Sequence, residues 1–274
     1  AYLEKRSVGI RLRENLPEGE RKRLIDTWEQ AGIRVRRHPY LPYAVELEGA
    51  EGIRRMKGYE EGHFAVQDVS SMLVVEAAGI VPGDTVVDVC AAPGGKALHA
   101  ADKMTGTGQV IACDVTDYKT ARIVENQTRL GVRNMSVRVQ DARILESSLV
   151  KKADVLLVDV PCSGLGVIGR KQDIKYRVTF ESLQEINRLQ REIVTNVAKY
   201  VKPGGIMMYS TCTMNPLENE KMAAWICEEL DMEKVTIEPS LPEVLRRDVR
   251  ENTLQLLPGI HETDGFFMAK FRKR

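Results

Sequence analysis

From about residue 66 onward the chain repeats one alternation, a short β-branched run followed by a stretch with helical spacing of apolar residues. Thr85 to Val89 is the first clear run, placed after the turn signal Pro82-Gly83-Asp84. Gln109 to Cys113, Ser136 to Val139, Val155 to Val158 and Ile206 to Tyr209 continue the series. Helical stretches flank them: Ser70 to Ala78, a segment with Glu125, Asn126 and Leu130 closed by Gly131, and Glu181 to Tyr200. In the last, Leu183, Ile186, Leu189, Ile193 and Val197 fall on one face. Strands joined by crossover helices pair in parallel, so this region is expected to form an α/β fold, a mostly parallel sheet with helices on both faces. Ligands in such a sheet sit beyond the carboxyl ends of the strands, which is where the chemistry is sought.

Residues 1 to 62 read differently. They are rich in Arg and Glu, with short apolar stretches at Val8-Gly9-Ile10, Ile33-Arg34-Val35 and Ala44-Val45-Glu46-Leu47. Between the first two, Arg21 to Ala31 carries Leu24, Ile25 and Trp28 at helical spacing, and Gly32 stops it. A small α/β N-terminal unit is expected here, ahead of a larger domain over residues 63 to 274.

The 274 residues are 43% apolar, enough for a packed core and too many for a disordered chain. No apolar run approaches the roughly 18 to 20 residues that span a bilayer, and Ala1-Tyr2-Leu3-Glu4-Lys5 lacks the apolar stretch of a secretion signal. A cytoplasmic monomer with no membrane partner is expected. The five cysteines, Cys90, Cys113, Cys162, Cys212 and Cys227, are odd in number and form no CxxC pair. That pattern, with four scattered histidines, points to no disulfide framework and no metal. Net charge is only +1, but basic residues gather at Arg34, Arg36 and Arg37, at Arg54, Arg55 and Lys57, and at Lys270, Arg272, Lys273 and Arg274. Such clusters are ordinarily solvated faces; beside a nucleic-acid site they become backbone contacts.

Two groups of strand ends carry chemistry. Asp88-Val89-Cys90-Ala91-Ala92-Pro93-Gly94-Gly95-Lys96 follows a strand and opens a helix, so small residues and free N–H groups let a ligand approach the backbone. The next strand ends at Asp114, placed to accept ribose hydroxyls, and the third is followed by Asp141, placed to meet an adenine. Together they describe an adenosine-containing cofactor without a phosphate-gripping loop. The fourth strand ends in Asp159-Val160-Pro161-Cys162-Ser163-Gly164 and the fifth in Tyr209-Ser210-Thr211-Cys212-Thr213. If these strands are neighbours, both thiols face one crevice. A buried small hydrophobe is the ordinary role of Cys90, Cys113 and Cys227.

Carbon 5 of cytosine is a poor nucleophile until a thiolate adds to carbon 6 and makes it enamine-like. Such a thiol needs help at neutral pH, since free Cys titrates near ~8.5. Asn215-Pro216-Leu217-Glu218 reads as the start of the next helix, which would put a positive dipole end near Cys212. Lys96 adds positive charge, and Asp159 is suited to the cytosine ring edge.

At these residues the chain resembles the NOL1/NOP2/Sun family of RNA cytosine-5 methyltransferases. Cys90 to Lys96, Asp159 to Gly164 and Ser210-Thr211-Cys212 carry the likeness, which covers essentially the whole chain. Val66-Gln67-Asp68-Val69-Ser70-Ser71, Asp173-Ile174-Lys175, Leu256-Leu257-Pro258 and Asp264-Gly265-Phe266-Phe267 narrow it to the bacterial branch acting on small-subunit (16S) rRNA. The resemblance implies a Rossmann-like class I methyltransferase sheet, S-adenosyl-L-methionine as cofactor and RNA as partner. It implies Cys212 as the nucleophile, Cys162 as an aid to product release, and Lys96 and Asp159 as catalytic neighbours. Cys90, Ala91, Ala92, Pro93, Gly94, Gly95, Lys96, Asp114, Asp141 and Asp159 would surround the cofactor, and residues 1 to about 60 would help hold RNA.

The chain departs from that pattern in three places. A NusB-like helical domain usually precedes this region and is expected to be lacking from this polypeptide, Ala97 stands where Thr or Ser is usual, and Gln172 and Tyr176 replace a common Pro and Trp. Other readings predict other residues. An amino-group methyltransferase would want Asn/Asp-Pro-Pro-aromatic where Val160-Pro161-Cys162 stands, and a DNA cytosine methyltransferase would attack with Cys162. A tRNA or other RNA substrate, and a non-catalytic ribosome-assembly factor, are the remaining alternatives; the paired cysteines argue against the last.

Overall fold

The computed structural model describes residues 7–274; the N-terminal stretch read for a secretion signal, Ala1 to Lys5, lies outside them. Strands β1 (Val8–Leu12), β2 (Arg34–Arg37), β3 (Ala44–Glu48) and β4 (Phe64–Val66) form an antiparallel sheet in the order β2-β3-β1-β4. Helix α1 (Glu18–Gln30) starts with two acids in its first turn, which suits the positive end of its dipole. Trp28 anchors it: the ring meets Phe64 edge-on at 5.1 Å, and the indole N–H donates to the Lys57 carbonyl at 3.0 Å.

The larger part begins with α2 (Val69–Ala78), capped by the Asp68 carboxylate. Then follow β5 (Thr85–Asp88), α3 (Gly95–Lys103), β6 (Gln109–Asp114), α4 (Asp117–Arg129), β7 (Met135–Val139) and β8 (Ala153–Asp159). Short α5 (Ile174–Arg177) and long α6 (Phe180–Val197) lead to β9 (Val201–Thr211), and α7 (Glu220–Glu229) follows. Strands β5 to β9 lie in the order β7-β6-β5-β8-β9, all parallel. This is the expected doubly wound sheet.

An antiparallel extension beyond β9 was not among the expected strands. It is built from β10 (Met232–Lys234), α8 (Glu243–Arg246), β11 (Val249–Arg250), β12 (Thr253–Leu256) and β13 (Phe266–Lys273). Strand β13 pairs antiparallel with β9, β12 and β10, and β11 closes the edge.

Successive residues of the central strands point to opposite faces. Val86, Leu157 and Met208 pack with α2, α3, α4 and the small sheet, in one core that also holds Trp28 and Phe64. Val87, Leu156 and Tyr209 pack under α6 and α7. Burial on both faces is why these strands read as continuous apolar runs. The small sheet is also joined to the large one by charge. Arg11, fully buried on β1, donates to Asp102 Oδ2 on α3 at 2.5 Å and to Gln67 Oε1 at 2.8 Å, while Arg13 reaches Asp102 at 2.7 Å. Among the described residues no helix is long and apolar enough to cross a membrane.

Candidate active site

Strand order reverses at β5, whose neighbours β6 and β8 receive connections running in opposite directions. The crevice at their carboxyl ends is where the strand-end residues converge. One cleft of about 450 Å³ is lined by Cys90, Ala92, Asp114, Asp141, Asp159, Cys162 and Cys212, with Val89, Val115, Leu189 and Ile193 as apolar wall. An adjoining cleft of about 220 Å³ is lined by Ala91, Pro93, Gly95 and Lys96 with Gln67 and Asp88, and shares Cys90, Ala92 and Asp159 with the first. Gly94 borders neither; it caps α3 at φ 105°, a conformation that favours glycine.

Because β8 and β9 are parallel neighbours with Asp159 opposite Ser210, the loops beyond them are brought together. Cys162 Sγ lies 3.1 Å from Cys212 Sγ. The hydrogen bond from Cys162 lowers the Cys212 thiol below the ordinary cysteine value. Burial and Asp159 oppose it; Lys96 and Lys171 assist. The same hydrogen bond, with burial, raises Cys162. The two thiols are thus shifted in opposite directions, Cys212 towards easier and Cys162 towards harder ionisation. Cys90 is raised by burial and Cys113 is pushed up to about 12 for the same reason, so neither is an activated nucleophile.

Lys96 Nζ donates to Asp159 Oδ2 at 2.6 Å, and Ser210 Oγ donates to Oδ1 at 2.8 Å. Burial works against the Lys96 ammonium, but the charge of Asp159 and its hydrogen bond outweigh it and keep it protonated. Its head group also stands 5.5 Å from the centre of the Phe266 ring on β13. Asp88 beneath is almost completely buried; burial pushes its carboxyl up to about 7 against the pull of Lys96.

Asp114 accepts from the Ala92 N–H at 2.9 Å and the Val115 N–H at 2.8 Å, and Lys119 lies 3.0 Å away. It thereby fixes the turn after β5 while facing the cleft. Asp141 is clasped by the Arg143 guanidinium and backbone, which hold its carboxyl low. An adenosine carrying an amino-acid tail fits this lining. Apolar residues offer a wall for the base, Asp114 retains lone pairs for hydroxyls, and buried Asp88 Oδ1 has no partner, leaving an acceptor for an ammonium.

One expectation is overturned. The segment from Asn215 does not open a helix; residues 216–219 form turns, and α7 starts at Glu220. The Glu218 side chain is drawn inward instead, so hydrogen bonding and nearby lysines, rather than a helix dipole, act on Cys212. The C-terminal basic cluster is also placed away from the site. Arg272 pairs in register with Ile206, midway along β9, while the thiols lie beyond its exit. Several members of the other clusters are tied to carboxylates: Arg34 to Glu48, Arg36 to Glu46 and Glu262, Arg54 to Glu125, Lys57 to Glu61.

Sequence reasoning missed the supports of the thiol loops. Gly166 N–H donates to the Cys212 carbonyl at 3.0 Å, and Gly265 N–H donates to the Gly166 carbonyl at 2.9 Å. Arg170 joins Asp68 at 2.8 Å and Asp264 at 2.7 Å, tethering the loop after Cys162 to α2 and to the turn before β13. The Asp68 and Asp264 motifs were visible in the sequence, but nothing there told that Arg170 unites them. Glu14, Glu76 and His99 also meet at the junction of the two sheets, although the histidines looked scattered. Lys103 Nζ, 2.6 Å from Glu76 and 3.2 Å from Glu14, already supplies the positive charge there.

The family model for 16S rRNA methyltransferase RsmB/F matches residues 77–272. The chain belongs to that family. Its fold is that of S-adenosylmethionine-dependent methyltransferases, and S-adenosylmethionine is the family's cofactor. A probable ribosomal RNA small subunit methyltransferase B of Bacillus subtilis is 38% identical over 266 residues, 96% of this chain and 59% of the relative. A protein of the same description from Synechocystis is 35% identical over 238 residues, 85% of this chain and 53% of the relative. The chain thus spans somewhat over half the length of the curated relatives it matches. A methyltransferase homolog protein from Pyrococcus horikoshii superposes with a TM-score of 0.81 at 29% identity, over 100% of this chain and 88% of that one.

Proposed function

We propose that the protein methylates C5 of a cytosine in small-subunit (16S) rRNA, with Cys212 attacking C6. The observation that carries this reading is the pair of thiols 3.1 Å apart at the ends of adjacent parallel strands, one raised and one lowered. A methyl transfer to nitrogen or oxygen has no use for such a pair. Cys90 to Lys96, Asp114, Asp141 and Asp159 hold S-adenosylmethionine, which supplies an electrophilic methyl group when bound.

The protein's own residues do the rest. Cys212 enters as thiolate, kept so by the Cys162 hydrogen bond and the charges of Lys96 and Lys171. Asp159, oriented by Ser210 and Lys96, meets the ring edge of the cytosine and favours protonation at N3 as C6 is attacked. After methylation the C5 proton leaves, the C5=C6 bond re-forms and Cys212 departs, with Cys162 donating to the leaving sulfur. Such a base has to be out of its stack, so a loop or single-stranded cytosine is the substrate. The segment after Cys162 suits that partner, with Lys171, Lys175 and Arg177 around the exposed rings of Tyr176 and Phe180. The unit comprising residues 1 to 62 and the neighbouring β4 contributes a second RNA-holding surface.

The test is a denaturing gel after mixing the protein with S-adenosylmethionine and unmodified small-subunit rRNA. Cys162→Ala is expected to give a stable protein–RNA adduct and Cys212→Ala none. The reverse pattern would make Cys162 the nucleophile. No adduct and no methyl transfer in any lane would sink the reading for this RNA.

A further inference from the structure

Glu218 is a fully buried carboxylate that borders neither cleft. Its Oε2 accepts from the Ser163 backbone N–H and from Gln190 Nε2, each at 2.9 Å. Its Oε1 accepts from Ser163 Oγ at 2.6 Å and Asn215 Nδ2 at 2.9 Å. Gln190, also fully buried on α6, donates to the Pro161 carbonyl at 2.9 Å as well. Both neighbours of Cys162 are therefore held by one Glu–Gln pair. The other thiol loop is tied in too. Ser163 Oγ lies 2.8 Å from Thr213 Oγ1, and Asn219, next to Glu218, donates to the Thr213 carbonyl at 3.0 Å. A buried acid is costly unless fully hydrogen-bonded, and here the donors are Ser163 beside the thiol, Gln190 on α6 and Asn215 just before the turn bearing Glu218.

We propose that Glu218, with Gln190, is a positioning pair that holds the Cys162 thiol against Cys212 Sγ and is required for release of the methylated product. The proposal rests on the cytosine-5 reading above. In release, water or a side-chain base takes the C5 proton, and the C5–H electron pair becomes the C5=C6 bond. The C6–S bond breaks with its pair on Cys212 Sγ, and the Cys162 S–H donates a hydrogen bond to that departing thiolate. When Cys162 is misplaced, attack slows but still leads to an adduct that cannot leave, so the adduct accumulates.

The experiment compares wild type, Glu218→Gln, Ser163→Ala, Cys162→Ala and the double variant Cys162→Ala/Ser163→Ala. Steady-state methyl transfer and adduct on a denaturing gel are measured, with S-adenosylmethionine affinity and thermal unfolding as controls. Glu218→Gln and Ser163→Ala are expected to lower kcat by roughly tenfold or more, the scale of one lost charge-assisted hydrogen bond. They should leave cofactor affinity and the KM for RNA unchanged and accumulate adduct as Cys162→Ala does. The double variant should trap no more than Cys162→Ala. Ser163→Ala keeps the test open if Glu218→Gln does not fold, because Ser163 is only partly buried and its N–H still reaches the carboxylate. Folded variants that turn over like wild type, or that lose turnover without trapping adduct, overturn the proposal. If Cys162→Ala itself traps nothing while wild type methylates, the role of Cys162 in release fails, and the positioning role fails with it.

Discussion

Replacing Cys162 with alanine tests the central electrostatic claim without any RNA. In the wild type the strongest influence lowering Cys212 is the hydrogen bond from Cys162; burial and Asp159 push the other way. Removing the donor leaves those two opposed only by Lys96 and Lys171, so Cys212 must titrate at higher pH. A hydrogen bond to a charged group contributes about 1.5–3 kcal/mol, and S–H is a weak donor, so the lower end applies. With about 1.4 kcal/mol per tenfold, the thiolate fraction near pH 7 should fall roughly tenfold. The assay is the rate of iodoacetamide alkylation of Cys212 against pH, read by peptide mass spectrometry so that the other thiols are counted separately. Cys90 and Cys113, both raised by burial, should react slowly in both proteins. Cys162→Ser, which restores an O–H donor, should recover much of the reactivity. An alkylation curve for Cys162→Ala that lies at or below the wild-type pH range would refute the reasoning, because it would mean that the hydrogen bond runs from Cys212 to Cys162.

Other perturbations address the frame. Arg11→Met leaves Gln67 Oε1 without its donor and Asp102 with Arg13 alone. Breaking a buried pair costs about 3–5 kcal/mol, and the surviving Arg13 contact should reduce this to about 2–3. Calorimetry should show a Tm lower by about 5–10 °C, and a cycle with Asp102→Leu should be strongly non-additive. His99 is held down to about 4 by burial and by Arg11. It is neutral when folded but protonates near ~6.5 when unfolded, so stability is lost as pH falls from ~6.5 to about 4, by up to ~3 kcal/mol. Urea titrations at several pH values should show that slope, and His99→Gln should flatten it. Gly166→Ala would place Cβ 2.0 Å from the Gly265 carbonyl oxygen and 2.8 Å from that of Cys212, both backbone atoms. It should destabilise by about 1–3 kcal/mol and slow adduct formation while sparing cofactor binding, as isothermal titration would show.

The parallel sheet was legible because its strands are buried on both faces and its ligand loops follow strand ends, a rule needing no side-chain detail. The meeting of Cys162 with Cys212 followed from the adjacency of β8 and β9 alone. Glu218 was not legible, because an acid after Asn-Pro has the local look of a helix start, and only the tertiary donors Ser163 and Gln190 draw it inward. Strands β10 to β12 were missed because they are short, and β13 because Lys270, Arg272 and Lys273 within it read as a basic cluster. The pairing of Arg11 with Asp102 was hidden for a simpler reason: 91 residues separate them, and neither sits in a motif.

The Gly166 ladder has a consequence for synthesis. The carbonyl of Cys212 is held by Gly166, whose own carbonyl is held by Gly265, and Gly265 is brought there by β13 lying against β9. A nascent chain has both thiols by residue 212 and the whole parallel sheet soon after. It has no Gly265 to hold the loop until the segment through Lys273 has emerged and paired. A ribosome-bound chain that has made the cofactor cleft would therefore still lack a settled Cys212 loop, which comes into place only as β13 slots into the sheet against β9.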